Sequence, residues 1–315
     1  MKLVSVPANP APDNVVTGML KTSDGVDLRF ARWAPPPGRK GTVCVCQGRA
    51  EFIEKYFEVA RDLRSRGFAV AMLDWRGQGL SQRALPDPHK GHVEDFSQYE
   101  TDLETLMREV VLPDCPPPFY ALGHSMGASV LLRTVSRGRR WFDRMVLSTP
   151  LLALRGGSYP SFASATVRVM RVIGFGNSYV PGGDASVVAS RSFVGNPLTS
   201  DPVRHARTAA ILDAEPALGL GSPTVAWSAA AFGAMAEFAA PDYAQQIRQP
   251  IVMIAAGRDE IVSTAAIENF ATRLRAGTHL ILPGARHEVL MEQDRFRAQF
   301  WAAFDAFVPG TPLFG

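Results

Sequence analysis

Three cysteines in 315 residues leave little from which to build a disulfide framework. Cys44 and Cys46 alternate with Val45 in an apolar run, so their side chains share one strand face, too close in sequence to bridge without distortion. Cys115 stands alone in a proline-rich stretch, and reduced thiols in a cytoplasmic setting are expected. No run approaches the roughly 20 apolar residues that a membrane span needs. The opening MKLVSVPANPAP lacks the basic start and apolar segment of an export signal, so the chain reads as soluble and unexported. Basic runs are missing too: 33 Lys and Arg against 30 Asp and Glu leave a net charge of +3, which gives no case for nucleic acid. Internal repeats and low-complexity tracts are absent. His89 and His92 lie near Asp87, Glu94 and Asp95 but lack the tight spacing of a zinc motif, so no metal is expected.

What the sequence does contain is an alternation of short buried runs with helical patterns. Residues 17 to 33 show two strand-like runs around Ser23-Asp24-Gly25, which reads as a hairpin. TVCVCQG (42 to 48), FAVAMLD (68 to 74), FYALGH (119 to 124), RMVLSTP (144 to 150), IVMIAAG (251 to 257) and THLILPG (278 to 284) are apolar nearly throughout, as parallel strands buried on both faces are. Helical stretches lie between several of them, at 51 to 66, 96 to 111, 126 to 137 and 265 to 276, with another at 292 to 307. The expected class is α/β, a mostly parallel sheet with right-handed crossovers and helices on both faces. Between 151 and 240 the alternation stops, composition shifts to Ala, Ser and Gly, and helical patterns remain at 161 to 173, 202 to 214 and 224 to 239. Residues 1–150 and 241–315 therefore read as one core, and 151–240 as a helical insertion over the carboxyl ends of the strands, where ligands bind in such sheets.

One stretch concentrates the chemistry. In ALGHSMGAS, Ser125 sits between Gly123 and Gly127, after an apolar strand and before a helix. This is similar to the nucleophile elbow of α/β-hydrolases, a tight turn that exposes the serine hydroxyl. A free serine is a poor nucleophile, so acyl transfer needs a base and a third group that orients it. Of the later histidines, His124 lies in the elbow itself, His205 in the insertion, and His279 in a strand where it is expected to point into packing. His287 follows the last strand and is the expected base. Asp259, leaving the preceding strand in GRDEIV, is the expected acid, with Glu260 as the fallback. Two backbone N–H groups should stabilise the oxyanion. One is expected from Met126 and the other from Arg49, with Gly48 allowing close approach.

CQGRAEFIEKY (46 to 56), LDWRGQGLS (73 to 81), GHVEDFSQYETD (91 to 102), GHSMG (123 to 127), NPLTSDPVRHAR (196 to 207), GRDEIV (257 to 262) and ARHEVLME (285 to 292) together resemble the monoacylglycerol lipase and lysophospholipase branch of the serine α/β-hydrolases, nearer to the bacterial lysophospholipase L2-like group. The resemblance implies an insertion that acts as a lid and hydrolysis of one acyl chain from a small, glycerol-based lipid ester. Gln47-Gly48 stands where monoacylglycerol lipases usually carry His-Gly; the Arg49 donor, being backbone, is unaffected. No metal or organic cofactor is required.

Within the insertion, helical spacing puts Phe162, Val169, Met170 and Ile173 broadly on one side, with Arg168 and Arg171 off it. Two readings stand: this side packs on the core, or the helix makes transient contact with an anionic membrane surface, at the inner face, and admits lipid. Phe162, Met170, Trp227 and Phe232 are the candidate substrate-binding side chains, with Met235 beside them. Glu51 and Lys55, at i and i+4, read as a local ion pair, and Asp74, Arg76 and Gly77 as a turn behind the site. Rival readings are a general carboxylesterase or thioesterase, an acyltransferase, a peptidase acting on N-terminal residues, and a non-catalytic ligand-binding protein that keeps the hydrolase fold. Oligomeric state leaves no trace in these patterns.

Overall fold

The computed structural model describes residues 3–36, 40–156, 161–187 and 192–309. Its strands are β1 (Val15–Lys21), β2 (Asp27–Trp33), β3 (Thr42–Cys46), β4 (Ala69–Leu73), β5 (Phe119–His124), β6 (Arg144–Ser148), β7 (Ile251–Ala256) and β8 (Gly277–Leu282). They join in one sheet in the order β1-β2-β4-β3-β5-β6-β7-β8. β1 and β2 form the expected hairpin and run antiparallel; from β4 to β8 every pairing is parallel. Gly25 supplies the positive φ, 85°, in the hairpin turn.

The longer helices are α1 (Phe57–Ser65), α2 (Ser97–Leu106), α3 (Met126–Ser136), α4 (Ser161–Met170), α5 (Pro202–Ala214), α6 (Val225–Ala239), α7 (Thr264–Arg273) and α8 (Asp294–Phe307). Because side chains alternate along a strand, the central strands feed two cores. Val43, Val45, Val70, Met72, Leu122 and Ile254 pack with Phe57 and Leu63 of α1 and Phe300 and Phe304 of α8. Cys44, Cys46, Leu73, Ala121, Leu147 and Met253 pack on the other face with Leu103 of α2, Leu131 of α3 and Phe270 of α7. That double coverage is why these runs are apolar at consecutive positions.

β8 departs from the expectation. It pairs only with β7 at the sheet edge, and its residues are exposed or half-buried except Leu282. His279 accordingly does not point into packing; it is half-buried, with Nε2 3.5 Å from Glu268 Oε1.

The turns beyond the carboxyl ends of β3 and β4 are fixed by an ion cluster whose centre, Arg29 with Glu54 and Asp74, is fully buried. Arg29 of β2 donates to both oxygens of Glu54 (2.7 Å each) and to Asp74 Oδ2 (2.7 Å). The other Asp74 oxygen accepts from Ile53 N at 2.9 Å, and Arg76 binds Asp24 and Asp102. Asp74 and Arg76 thus hold the turn behind the site as anticipated, Asp74 through Arg29, which no local pattern picks out, and Arg76 through Asp24 and Asp102.

Candidate active site

Ser125 begins α3 with φ 49° and ψ −116°, a conformation that costs a non-glycine residue on the order of 1–3 kcal/mol and is sustained by its surroundings. Its N–H donates to Ser148 O at 3.0 Å, and its carbonyl accepts from Leu151 N and Ser129 N, both at 3.2 Å. The flanking glycines are required by close approach. A Cβ on Gly127 would lie 2.2 Å from Cys46 O, and one on Gly123 would lie 2.8 Å from Ala128 Cα. Chain packing this tight leaves the serine at the rim of the sheet, where it lines a cavity.

Two later loops reach it. His287 Nε2 lies 3.0 Å from Ser125 Oγ, and His287 Nδ1 lies 2.8 Å from Asp259 Oδ2. Asp259 Oδ1 accepts from Ile261 N (2.8 Å) and Val262 N (2.9 Å), which fixes the carboxylate plane. Burial pushes its pKa up, but the His287 hydrogen bond and charge and the two amides outweigh it and hold the carboxyl below its ordinary value. All three side chains are nearly buried. Thr149 Oγ1 donates to the His287 carbonyl at 2.9 Å and lies 3.1 Å from His124 Nδ1. His124 has its pKa lowered to about 4, chiefly by burial, and so stays neutral beside the site.

The loop after β3 leaves the Arg49 amide unused. Gly48 N donates to Glu51 Oε2 and Ala50 N to Gln78 Oε1, both at 2.5 Å. Between them, Arg49 N has no acceptor among the described residues, nor does Met126 N at the first turn of α3. Glu51 lies ahead of the helical turn Ile53–Tyr56 that carries Lys55, so the expected helix start at 51 is corrected and the two are not neighbours on a helix surface. Both are buried, Lys55 Nζ bridges Glu51 (2.9 Å) and Glu288 (2.7 Å), and Tyr56 OH donates to Glu51 at 2.7 Å. Burial raises the Glu51 pKa, but the adjacent Lys55 charge prevails and lowers it to about 2, so the carboxylate that holds the Gly48 amide is ionised.

Above Ser125 lies a cavity of about 330 Å³. Leu151, Leu154, Trp227, Ala231, Phe232 and Met235 form its apolar walls, and Glu51, His124, His287 and Glu288 its polar end. A second, more polar cavity of about 400 Å³ shares Leu198, Ile261 and Glu288 with it. Trp227 and Phe232 therefore line the cavity. Phe162 and Met170 do not. Phe162 is 84% exposed, and Met170 is a half-buried residue packed on the core away from the lining. The period of α4 identified an apolar side but not its direction: Val167 and Met170 turn inward, while Phe162, Val169, Val172, Ile173 and Phe175 are exposed. His92 Nδ1 lies 3.1 Å from Thr224 Oγ1 and His89 pairs with Asp87, and no group of three or more potential metal ligands occurs among the described residues.

Residues 37–294 match the family described as serine aminopeptidase, S33. Lysophospholipase L2 of Escherichia coli is 28% identical over 87% of this chain and 82% of its own length. The monoacylglycerol lipase of Mycolicibacterium smegmatis is 26% identical over 86% of this chain and 89% of its own. Among solved structures, the monoacylglycerol lipase of Paleococcus ferrophilus superposes with a TM-score of 0.72 at 21% identity, covering 90% of this chain and 99% of that one. A carboxyl esterase from Bacillus coagulans gives a TM-score of 0.75 at 19% identity, covering 94% and 98%. The fold is that of the α/β-hydrolases.

Proposed function

The chain belongs to the serine aminopeptidase S33 family of hydrolases, and from that premise we propose that it cleaves carboxylic esters of lipid-like substrates, in the manner of a lysophospholipase or monoacylglycerol lipase. The observation that carries this reading is the hydrogen-bonded series Ser125, His287, Asp259 at the base of a largely apolar cavity. Ser125 Oγ attacks the ester carbonyl while His287 Nε2 takes its proton. The tetrahedral oxyanion is held by the N–H groups of Arg49 and Met126, which are already free of other acceptors and so need no reorganisation. His287 then returns the proton to the leaving alcohol, and water attacks the acyl-enzyme with the same base. Asp259 orients the imidazole. Trp227 and Phe232 shelter the acyl chain.

Ester cleavage is favoured over removal of N-terminal residues by the charges at the site. A peptide α-ammonium needs an uncommitted carboxylate, whereas the two that line the cavity, Glu51 and Glu288, both bind Lys55. The segment 151–240 acts as a lid in this reading, since Leu151, Leu154, Leu198, Pro223 and α6 close the cavity over Ser125. The exposed apolar residues at Val169, Val172, Ile173 and Phe175 suit transient contact with a membrane surface, from which lipid would enter. No described helix is long and apolar enough to cross a membrane. Three free, buried cysteines suit a reducing, cytoplasmic setting.

The test is turnover of lysophospholipids, monoacylglycerols and p-nitrophenyl esters of graded length by the purified chain and by Ser125→Ala. Release of fatty acid by the first and not the second supports the proposal. Turnover of aminoacyl amides alone, or equal turnover by both proteins, overturns it.

A further inference from the structure

Arg49 carries a charge that the esterase machinery does not use. Its backbone N–H is the oxyanion donor proposed above; Arg49 is one of the residues that line the cavity, and its guanidinium lies 5.3 Å from the ring centre of Trp227, another of them. Nη2 donates to the Gly221 carbonyl at 2.5 Å. Nε is buried without a hydrogen-bond partner, and Arg49 enters no ion pair among the described residues. Burial lowers its pKa, to about 10, and only the phenols of Tyr99 and Tyr179 oppose that effect. Those phenols are themselves neutral. Burial pushes both up, Tyr99 OH accepts from Trp227 Nε1 at 3.0 Å, and Tyr179 OH donates to Asp87 at 2.9 Å.

A largely desolvated cation without a carboxylate is costly unless something anionic completes it. The other charges that face the cavity are already compensated: Glu51 and Glu288 by Lys55, with His124 held neutral. Arg49 is thus the uncompensated charge that a substrate meets, among the described residues. A guanidinium presents planar, paired N–H donors that match phosphate and carboxylate oxygens. An uncharged glyceride has nothing to offer it.

We propose that the Arg49 side chain binds the phosphodiester of a lysophospholipid head group and makes the enzyme select a phosphodiester-bearing ester over a monoacylglycerol, which has no charged group. The proposal rests on the ester-hydrolase reading above and assigns that site its head-group chemistry.

The experiment compares Arg49→Gln and Arg49→Lys, both of which keep the backbone amide, with the unaltered chain. The reading is kcat/KM on lysophosphatidylcholine divided by kcat/KM on the monoacylglycerol with the same acyl chain. In Arg49→Gln this ratio is expected to fall about tenfold or more, mainly through KM, as for loss of a charged hydrogen-bond donor; Arg49→Lys should lose less. If both substrates lose equally, or neither loses, the side chain serves only the loop and the proposal is overturned.

Binding keeps the test independent of turnover. In a Ser125→Ala background, an alkylphosphocholine, an alkyl hemisuccinate and a 1-O-alkylglycerol of one chain length are titrated with and without Arg49→Gln. Weakening of the alkylphosphocholine, with the alkylglycerol affected less, supports the assignment. Weakening confined to the hemisuccinate makes the anion a carboxylate and overturns the phosphodiester. Arg49-dependent binding without any ester turnover would instead sink the ester-hydrolase reading alone.

Discussion

His287 Nε2 stands 3.0 Å from Ser125 Oγ although the two residues are 162 positions apart in the chain. The contact exists because β5 and β8 end at the same rim of the sheet, and the loops that follow carry the serine and the imidazole toward each other. If this pair performs proton transfer, Ser125→Ala and His287→Ala should each lower kcat on a p-nitrophenyl ester by about 10⁴-fold or more, with little change in thermal unfolding. Asp259→Asn should cost about as much, since it removes the acceptor that fixes the tautomer. Retention of most of the activity in any of the three removes that residue from the mechanism.

Gly127→Ala tests the elbow rather than the chemistry. Its Cβ would meet the Cys46 and Gln47 carbonyls at 2.2 and 2.4 Å, which are backbone atoms of β3 and its loop and cannot rotate away. Destabilisation of about 3 kcal/mol or more is expected by urea unfolding, together with loss of activity. Wild-type stability would mean that the β3–α3 approach is looser than described.

Acid should weaken the protein in two stages. His124 has a pKa of about 4 in the fold against an ordinary 6.5, so between these values the unfolded chain binds the extra proton and stability falls as pH drops. Glu51, at about 2 against 4.5, adds a further loss from pH 4.5 downward. Urea midpoints measured from pH 7 to pH 4 should decline, and His124→Asn should flatten that decline. An unchanged slope in the variant would show that His124 is not the group being titrated.

Glu51→Gln weakens the hold on the Gly48 amide and leaves Lys55 with Glu288 alone. The loop then loses an anchor one residue from Arg49; if the Arg49 amide holds the oxyanion, kcat should fall about tenfold or more with a smaller change in KM. A change confined to KM would place Glu51 in substrate binding instead.

Val172→Asp combined with Ile173→Asp puts charge into the exposed apolar turn after α4. Cosedimentation with vesicles containing anionic lipid should drop severalfold, while hydrolysis of a short soluble ester stays as it was, because neither residue lines the cavity. Equal cosedimentation by both proteins would count against a membrane-facing role for this segment.

The elbow is legible in the sequence because it is local: a buried strand, Gly123 and Gly127, and a helix start fall within a dozen residues. The partners of Ser125 are legible through strand order, since Asp259 and His287 each follow an apolar run. Other features depend on long-range packing. Arg29 joins Glu54 and Asp74, and Lys55 joins Glu288 across 233 positions, so a pair that reads as one i, i+4 contact is half of a buried network. The orientation of α4 is another such case: periodicity gives an apolar side, but only packing decides that Phe162 turns outward and Val167 inward. For the same reason, apolar composition alone does not distinguish the edge strand β8 from its buried neighbours.

The most direct measurement is mass spectrometry of the chain quenched during turnover of a long-chain p-nitrophenyl ester. An acyl adduct on the peptide that carries Ser125, absent from Ser125→Ala, is the expected result. Steady ester turnover with the adduct on another residue, or undiminished turnover by Ser125→Ala, would contradict a Ser125 acyl-enzyme.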